Sequence, residues 1–240
     1  PNKDHITAEG DSVRMVYTVP SNMVAVGNGK LRSVNTANGK STYEWFVSNP
    51  INNYNISVQI GNYVAVQDTF MKDNTIHYMD HYVLDYNKEL ASNYFIQSKE
   101  IIRFYEKYFG DYQWYEDGYK LVEVPYLGME HQSAVTYGNG FSIYNGVRSK
   151  SWPMYGVVDP LIIHETGHEW FGNSVTASDP THIWIHEGLQ VYSEAIYFED
   201  KFDSYEVGVH YLNTLKNRIV NDIPIVGNEN ENHWALHGDT

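Results

Sequence analysis

The sequence predicts an α+β fold in which a β-rich segment over residues 1–75 precedes an α/β segment over residues 76–240. Three observations predict it. Apolar and polar residues alternate through the early chain, helical spacing replaces that alternation from Ala91 onward, and no internal repeat or low-complexity linker breaks the sequence. With 42% hydrophobic and 19% charged residues, the chain has the composition of an ordinary globular protein rather than a disordered one.

In chain order, Val13, Met15, Tyr17 and Val19 alternate with polar neighbours, the period of a half-buried strand. Asn28-Gly29 and Asn38-Gly39 read as hairpin turns, because both residue types accept positive φ cheaply. Strand-like runs follow at Thr42–Val47 and Ile56–Val66, giving a meander at one edge of a β-sandwich. The character changes near Tyr82. Ala91, Tyr94, Phe95, Ser98, Ile101, Ile102, Tyr105, Tyr108 and Phe109 recur at helical spacing, and Gly110 is a natural stop. Lys120–Val124, ended by Pro125, and Ser133–Tyr137 read as strands. The spacing then predicts a helix from Asp159 to Gly172, with Asp159 as N-cap and Pro160 in the first helical position. Later helices are expected over Ile185–Glu199 and Ser204–Val220.

Composition excludes several kinds of chemistry. A formal charge of −14 repels phosphate backbones, which argues against nucleic acid as a partner. The absence of cysteine excludes disulfides, thiolate catalysis and cysteine-zinc clusters. The 21 tyrosines read as packing area with polar tips. No run approaches the roughly 18–20 apolar residues of a membrane span, and the start does not resemble a signal peptide. The chain has no initiator methionine and opens almost directly into a strand pattern, so it is expected to be a piece of a longer protein.

The chemistry concentrates at His164-Glu165-Thr166-Gly167-His168, an HExxH motif inside the helix expected after Asp159. Four residues advance a helix by about 400°, so His164 and His168 project from one face, one turn apart. Two imidazoles so placed can bind one Zn²⁺ at about 2.0–2.1 Å. Glu165 lies beside them, placed to take a proton from an activated water without being a ligand itself. Chance yields roughly 0.03 such motifs in a chain of this composition, so a third ligand is needed to support the reading. The metzincin pattern would put Gly at 171 and His at 174, where the chain has Phe171 and Ser174. Instead Glu187 follows His168 after 18 residues, within Trp184-Ile185-His186-Glu187-Gly188. Two imidazoles and one carboxylate leave a fourth position open, which is the catalytic rather than the structural arrangement. Glu194, two helical turns beyond Glu187, is placed to accept an N–H from a ligand histidine. His182 and His186, also four apart, are the alternative ligand pair. His131, His210 and His233 have no spacing argument.

On these residues the chain resembles the aminopeptidase N and leukotriene hydrolase group of gluzincin zinc metallopeptidases. The resemblance runs through His164–Thr176, Trp184–Glu187 and Val191–Glu194, and upstream through Val19–Lys30 and Ser48–Ile56. It implies the C-terminal part of a β-sandwich-like domain over 1–75, followed over 76–240 by a thermolysin-like catalytic domain, incomplete at its C-terminus. It also implies one catalytic Zn²⁺ and release of the N-terminal residue from peptides. The family's GxMEN segment corresponds to Leu127-Gly128-Met129-Glu130-His131, with Leu127 for the first glycine and His131 for the asparagine. The resemblance makes Glu130 the carboxylate that holds the substrate's α-ammonium, with Gly128 and Met129 along the substrate backbone. An extended segment ending in a carboxylate fits that task physically, because it pairs with backbone and counters one positive charge.

The family also carries an oxyanion tyrosine in a YxKG-like context. No such context precedes Thr240, and Tyr205 and Tyr211 come too soon, so the tyrosine is expected past Thr240 and this stretch alone is expected to hydrolyse poorly. An endopeptidase sharing the zinc site, an epoxide hydrolase of the kind found on a related family member, and a zinc-binding module without catalysis are the competing readings. His131 and the absence of cysteine point to a bacterial periplasm or cell envelope.

Overall fold

The computed structural model describes residues 8–141, 158–216, 219 and 224–226. Mixed sheet and helix form the α+β fold expected. The early strands are β1 (Glu9–Gly10), β2 (Val13–Pro20), β3 (Val24–Gly27), β4 (Lys30–Ala37), β5 (Lys40–Val47), β6 (Ile51–Asn52) and β7 (Val58–Gly61). They form three small antiparallel sheets, ordered β2-β5-β4, β3-β7 and β1-β6. Because β5 lies between β2 and β4, the segment is not the simple meander expected.

The two Asn-Gly dipeptides behave differently. Asn38 and Gly39 have φ values of 51° and 73° and close the β4–β5 hairpin. Asn28-Gly29 closes no hairpin, since β3 pairs with β7 while β4 pairs with β5. The reason is the Asn28 side chain. It is fully buried, donates to the carbonyls of Asn55 and Gln132 at 3.0 and 2.7 Å, and accepts from the Ser57 amide. A residue so engaged leads the chain from one sheet to another.

Two long strands follow, β8 (Tyr63–Lys72) and β9 (Thr75–Leu84), paired along their whole length around Asp73-Asn74, where both residues take positive φ. They join β10 (Leu121–Glu123), β11 (Gly128–Met129) and β12 (Val135–Tyr137) in a five-stranded mixed sheet, β11-β12-β10-β9-β8. Residue 75, the expected division between segments, is thus the first residue of a hairpin strand, and one sheet spans it. Alternation along these strands covers the sheet on both faces. Tyr63, Tyr82 and Val122 join Trp45 and Val47 in one apolar cluster, whereas Val66, Val83 and Leu121 pack with the helices in another.

The helices are α1 (Lys88–Tyr94), α2 (Gln97–Phe109), α3 (Pro160–Gly167), α4 (Trp184–Phe202) and α5 (Tyr205–Lys216). The single helix expected over Ala91–Phe109 is two, separated at Phe95-Ile96, and Gly110 with φ 95° ends the second. Asp159 caps α3 through the Leu161 amide at 2.9 Å, with Pro160 in the first position. The Asp159 carboxylate also accepts from the hydroxyls of Tyr94 and Tyr137, which ties the start of α3 to α1 and to the sheet. The helix ends at Gly167, short of the expected Gly172. Gly172 has φ 137°, and the Asn173 amide turns back to the His168 carbonyl at 2.9 Å. The last expected helix is described as far as Lys216; Ile219, within the expected span, is described and lies outside any helix, and Val220 and His233 lie outside the described residues. No described helix is long and apolar enough to cross a membrane.

Candidate metal and peptide site

The site assembles where α3 meets α4. Gly167 lets them touch, because a Cβ there would lie 2.1 Å from both the Gln190 side chain and the Tyr105 hydroxyl. Gln190 donates to Tyr105 at 2.8 Å and to the Ile163 carbonyl at 3.1 Å, locking α4 onto α3. This contact brings the first turn of α4, carrying Glu187, beside the two histidines of α3.

His164 Nε2 lies 3.1 Å from His168 Nε2, and Glu187 Oε2 lies 3.5 and 3.7 Å from these two nitrogens. Donor atoms about 2.0–2.1 Å from one tetrahedral centre stand about 3.3–3.4 Å apart, so the triangle has the size a zinc ion requires. The tautomers agree. His164 Nδ1 faces Glu194 Oε1 at 2.6 Å, and His168 Nδ1 faces the Phe171 carbonyl at 2.9 Å. An ionised carboxylate and a carbonyl can only accept, so each Nδ1 carries the hydrogen and each Nε2 keeps its lone pair for a metal. Two lone pairs facing each other at 3.1 Å repel unless a proton or a metal ion lies between them.

The electrostatics carry the same signature. Burial alone would lower the His164 pKa, but the carboxylates of Glu187 and Glu194 outweigh it and raise it well above the usual value. Burial would raise that of Glu187, yet the bond to His164 and the charges of His168 and His164 pull it down to about 2. These groups favour a positive charge among them. His168 is 1% exposed and the Glu187 side chain 40%, so the trio is closed on the protein side and open on the other.

Glu194 is fully buried on α4, and its second oxygen accepts from the hydroxyl of Tyr211 on α5. Of the two tyrosines set aside in the sequence, Tyr205 is exposed, and Tyr211 reaches His164 through Glu194.

Glu165, beside the histidines on α3, faces β11. A Cβ on Gly128 would stand 2.6 Å from its carboxylate oxygen, so Gly128 makes room for it. Burial pushes the Glu165 pKa up to about 8; nearby Glu130, Glu187 and Glu194 add to this and His164 opposes it. Glu130 is buried, and ligand atoms of Glu130, Glu165 and His168 lie within 4.8 Å of one another. Among the described residues, Gly128 and Met129 pair with Tyr137 and Thr136 on one side only, leaving β11 as the edge of the sheet.

The structure therefore brings together His164, His168, Glu187, Glu194, Glu165, Glu130, Gly128 and Met129. It keeps out the alternative pair. His186 is buried with Nε2 accepting from the Ala177 amide at 2.9 Å, and His182 lies in a 3₁₀ turn before α4. Residues that spacing did not reveal surround the site. Asn173 donates to the Glu130 carbonyl at 2.9 Å and to Glu169 at 3.2 Å, and Glu169 accepts from the Ser133 amide at 2.7 Å. Asn55, from the early β-rich segment, donates to Asn173 at 2.6 Å. The only sequence signal for these positions was the resemblance of the surrounding stretches.

Comparison with known proteins finds related chains. Rice aminopeptidase M1-D (Oryza sativa subsp. japonica) is 21% identical over 204 residues, covering 84% of this chain and 23% of its own length. Human endoplasmic reticulum aminopeptidase 2 is 31% identical over 152 residues, covering 58% of this chain and 15% of its own length. The crystal structure of an M1 zinc metallopeptidase from Deinococcus radiodurans superposes with a TM-score of 0.74 at 17% identity, over 92% of this chain and 48% of that one. The chain thus spans less than a quarter of the length of these two curated relatives and about half of the solved structure. The family model described as the peptidase family M1 domain matches residues 94–231, more than half of the sequence. The chain belongs to peptidase family M1, the aminopeptidase N-like gluzincins its motifs resemble.

Proposed function

We propose that the chain carries the catalytic centre of a zinc aminopeptidase that removes the N-terminal residue from peptides. The observation that carries this is the placement of Glu130 beside the metal trio. The amine nitrogen and carbonyl carbon of one residue are about 2.5 Å apart, so a carboxylate that grips the amine must sit close to the metal. Glu130, within 4.8 Å of Glu165 and His168, satisfies that condition.

His164, His168 and Glu187 would hold the Zn²⁺, and Glu194 would fix the orientation and basicity of His164. When bound, the ion supplies Lewis acidity, polarising the scissile carbonyl and making water acidic enough to act near neutral pH. Glu165 accepts the proton of the attacking water and delivers it to the departing amine. With a cation held by the trio, Glu165 would ionise more readily than burial alone allows, as a general base requires. Glu130 holds the ammonium, and the free edge of β11 pairs with the substrate backbone. The division into a β-sandwich-like part and a thermolysin-like catalytic part belongs to the same proposal, with the five-stranded sheet from Tyr63 onward assigned to the catalytic part.

Glu165→Gln tests the reading. In the whole protein it is expected to abolish peptide hydrolysis while zinc, measured by elemental analysis, stays at one per chain; retained turnover would remove Glu165 from the mechanism.

A further inference from the structure

We infer that Tyr54, from the early β-rich segment, is a positioning residue for the amine anchor, orienting the Glu130 carboxylate through its hydroxyl. The inference rests on the reading of Glu130 given above. Tyr54 lies in a 3₁₀ turn, Asn53–Asn55, between β6 and β7. Two side-chain bonds dock that turn on the loop after the HExxH motif: Asn52 donates to the Thr176 hydroxyl at 3.2 Å and Asn55 to Asn173 Oδ1 at 2.6 Å, with the Tyr54 hydroxyl 3.4 Å from the same oxygen.

Asn173 in turn donates to the Glu130 backbone carbonyl, and its own amide bonds to the carbonyl of the ligand His168. The Tyr54 ring lies 6.2 Å from that of His186, the neighbour of the ligand Glu187. The phenol thus lies beside the anchor, its hydroxyl facing the Asn173 oxygen and interacting with the Glu130 carboxylate. It has one proton for two acceptors, and Asn55 already supplies the Asn173 oxygen at the shorter distance. The carboxylate is the stronger acceptor. The burial of Tyr54 and the adjacent Glu130 charge both raise its pKa, so the phenol keeps its proton and donates. One Glu130 oxygen is then fixed by Tyr54, and the other is turned toward the substrate ammonium.

Tyr54→Phe removes the hydroxyl and keeps the ring. The readout is the dissociation constant of the zinc-loaded protein for an amino-acid hydroxamate and for its N-acetyl derivative, measured by calorimetry with Glu130→Gln as control. The parent is expected to prefer the free amine, and Glu130→Gln to lose the preference. Tyr54→Phe is expected to reduce it about tenfold, with N-acetyl affinity and zinc content unchanged. A preference left intact in Tyr54→Phe would overturn the role of Tyr54 while leaving Glu130 as the anchor. No preference in the parent would overturn the anchor itself, and the inference with it.

Discussion

At the scale of single residues, the metal site is a problem of holding two imidazoles and a carboxylate in one triangle. Glu194 contributes without touching the metal position: it receives the His164 Nδ1 hydrogen at 2.6 Å and is itself held by Tyr211. Removing such a partner loosens the ring and lowers its basicity. Glu194→Ala is therefore expected to weaken zinc binding about 10–100-fold, and Tyr211→Phe to weaken it less, as measured by competition with a chromogenic chelator. Unchanged affinity in Glu194→Ala would mean that His164 is held by its helix alone. The two histidines of the trio were legible because spacing on a helix is a local property, set by rotation per residue. Tyr54 and Asn173 were not, because their roles depend on a turn and a loop more than 100 positions apart meeting in space.

At the scale of elements, the site depends on how closely α3 and α4 approach. Gly167 sits at the contact, and a methyl group there would meet Gln190 and Tyr105, both buried and hydrogen-bonded to each other. Gly167→Ala is expected to push α4 outward and carry Glu187 away from His164 and His168. Zinc affinity should then fall by more than the loss of thermal stability explains, and a pair of titrations, chelator competition and thermal melting, checks this. The sequence presented Gly167 as an unassigned position of the motif, since nothing local shows what faces it. Asn28-Gly29 teaches the converse. Its dipeptide permits a hairpin, but the buried bonds of Asn28 to Asn55, Gln132 and Ser57 draw the chain between sheets instead. Likewise the helical pattern continued past Gly167, whereas the helix ends there and the chain turns back through Gly172, at φ 137°, and the Asn173 amide.

At the scale of the molecule, a sheet covered on both faces buries ionisable groups, and these link stability to pH. His81, on β9, accepts from the Leu121 amide at 2.9 Å and is fully enclosed, with its pKa lowered to about 4 by burial. Unfolded, it would titrate near 6.5. Between these values the unfolded chain binds the extra proton, so this contribution is complete above pH 6.5 and is lost as pH falls through about 4. Glu169 acts with the opposite sign. Burial raises it to about 8, so its contribution is present below its unfolded value and is lost as pH rises through about 8. The whole curve thus partly cancels, and the comparison with His81→Asn isolates one term. Relative to that variant, the parent is expected to lose about 3 kcal/mol between pH 6.5 and 4 in urea unfolding, and a parallel dependence would refute the assignment.

The same scale holds the central claim, that an ammonium anchor and a metal triangle on facing elements measure one residue from a peptide's end. The most direct test is the ratio of kcat/KM for one short peptide with its N-terminus free and acetylated, determined on the zinc-loaded protein. The account predicts that the free peptide is cleaved after its first residue and that acetylation reduces kcat/KM by at least about 100-fold. Equal cleavage of the two peptides would contradict it and identify an endopeptidase built on the same zinc site.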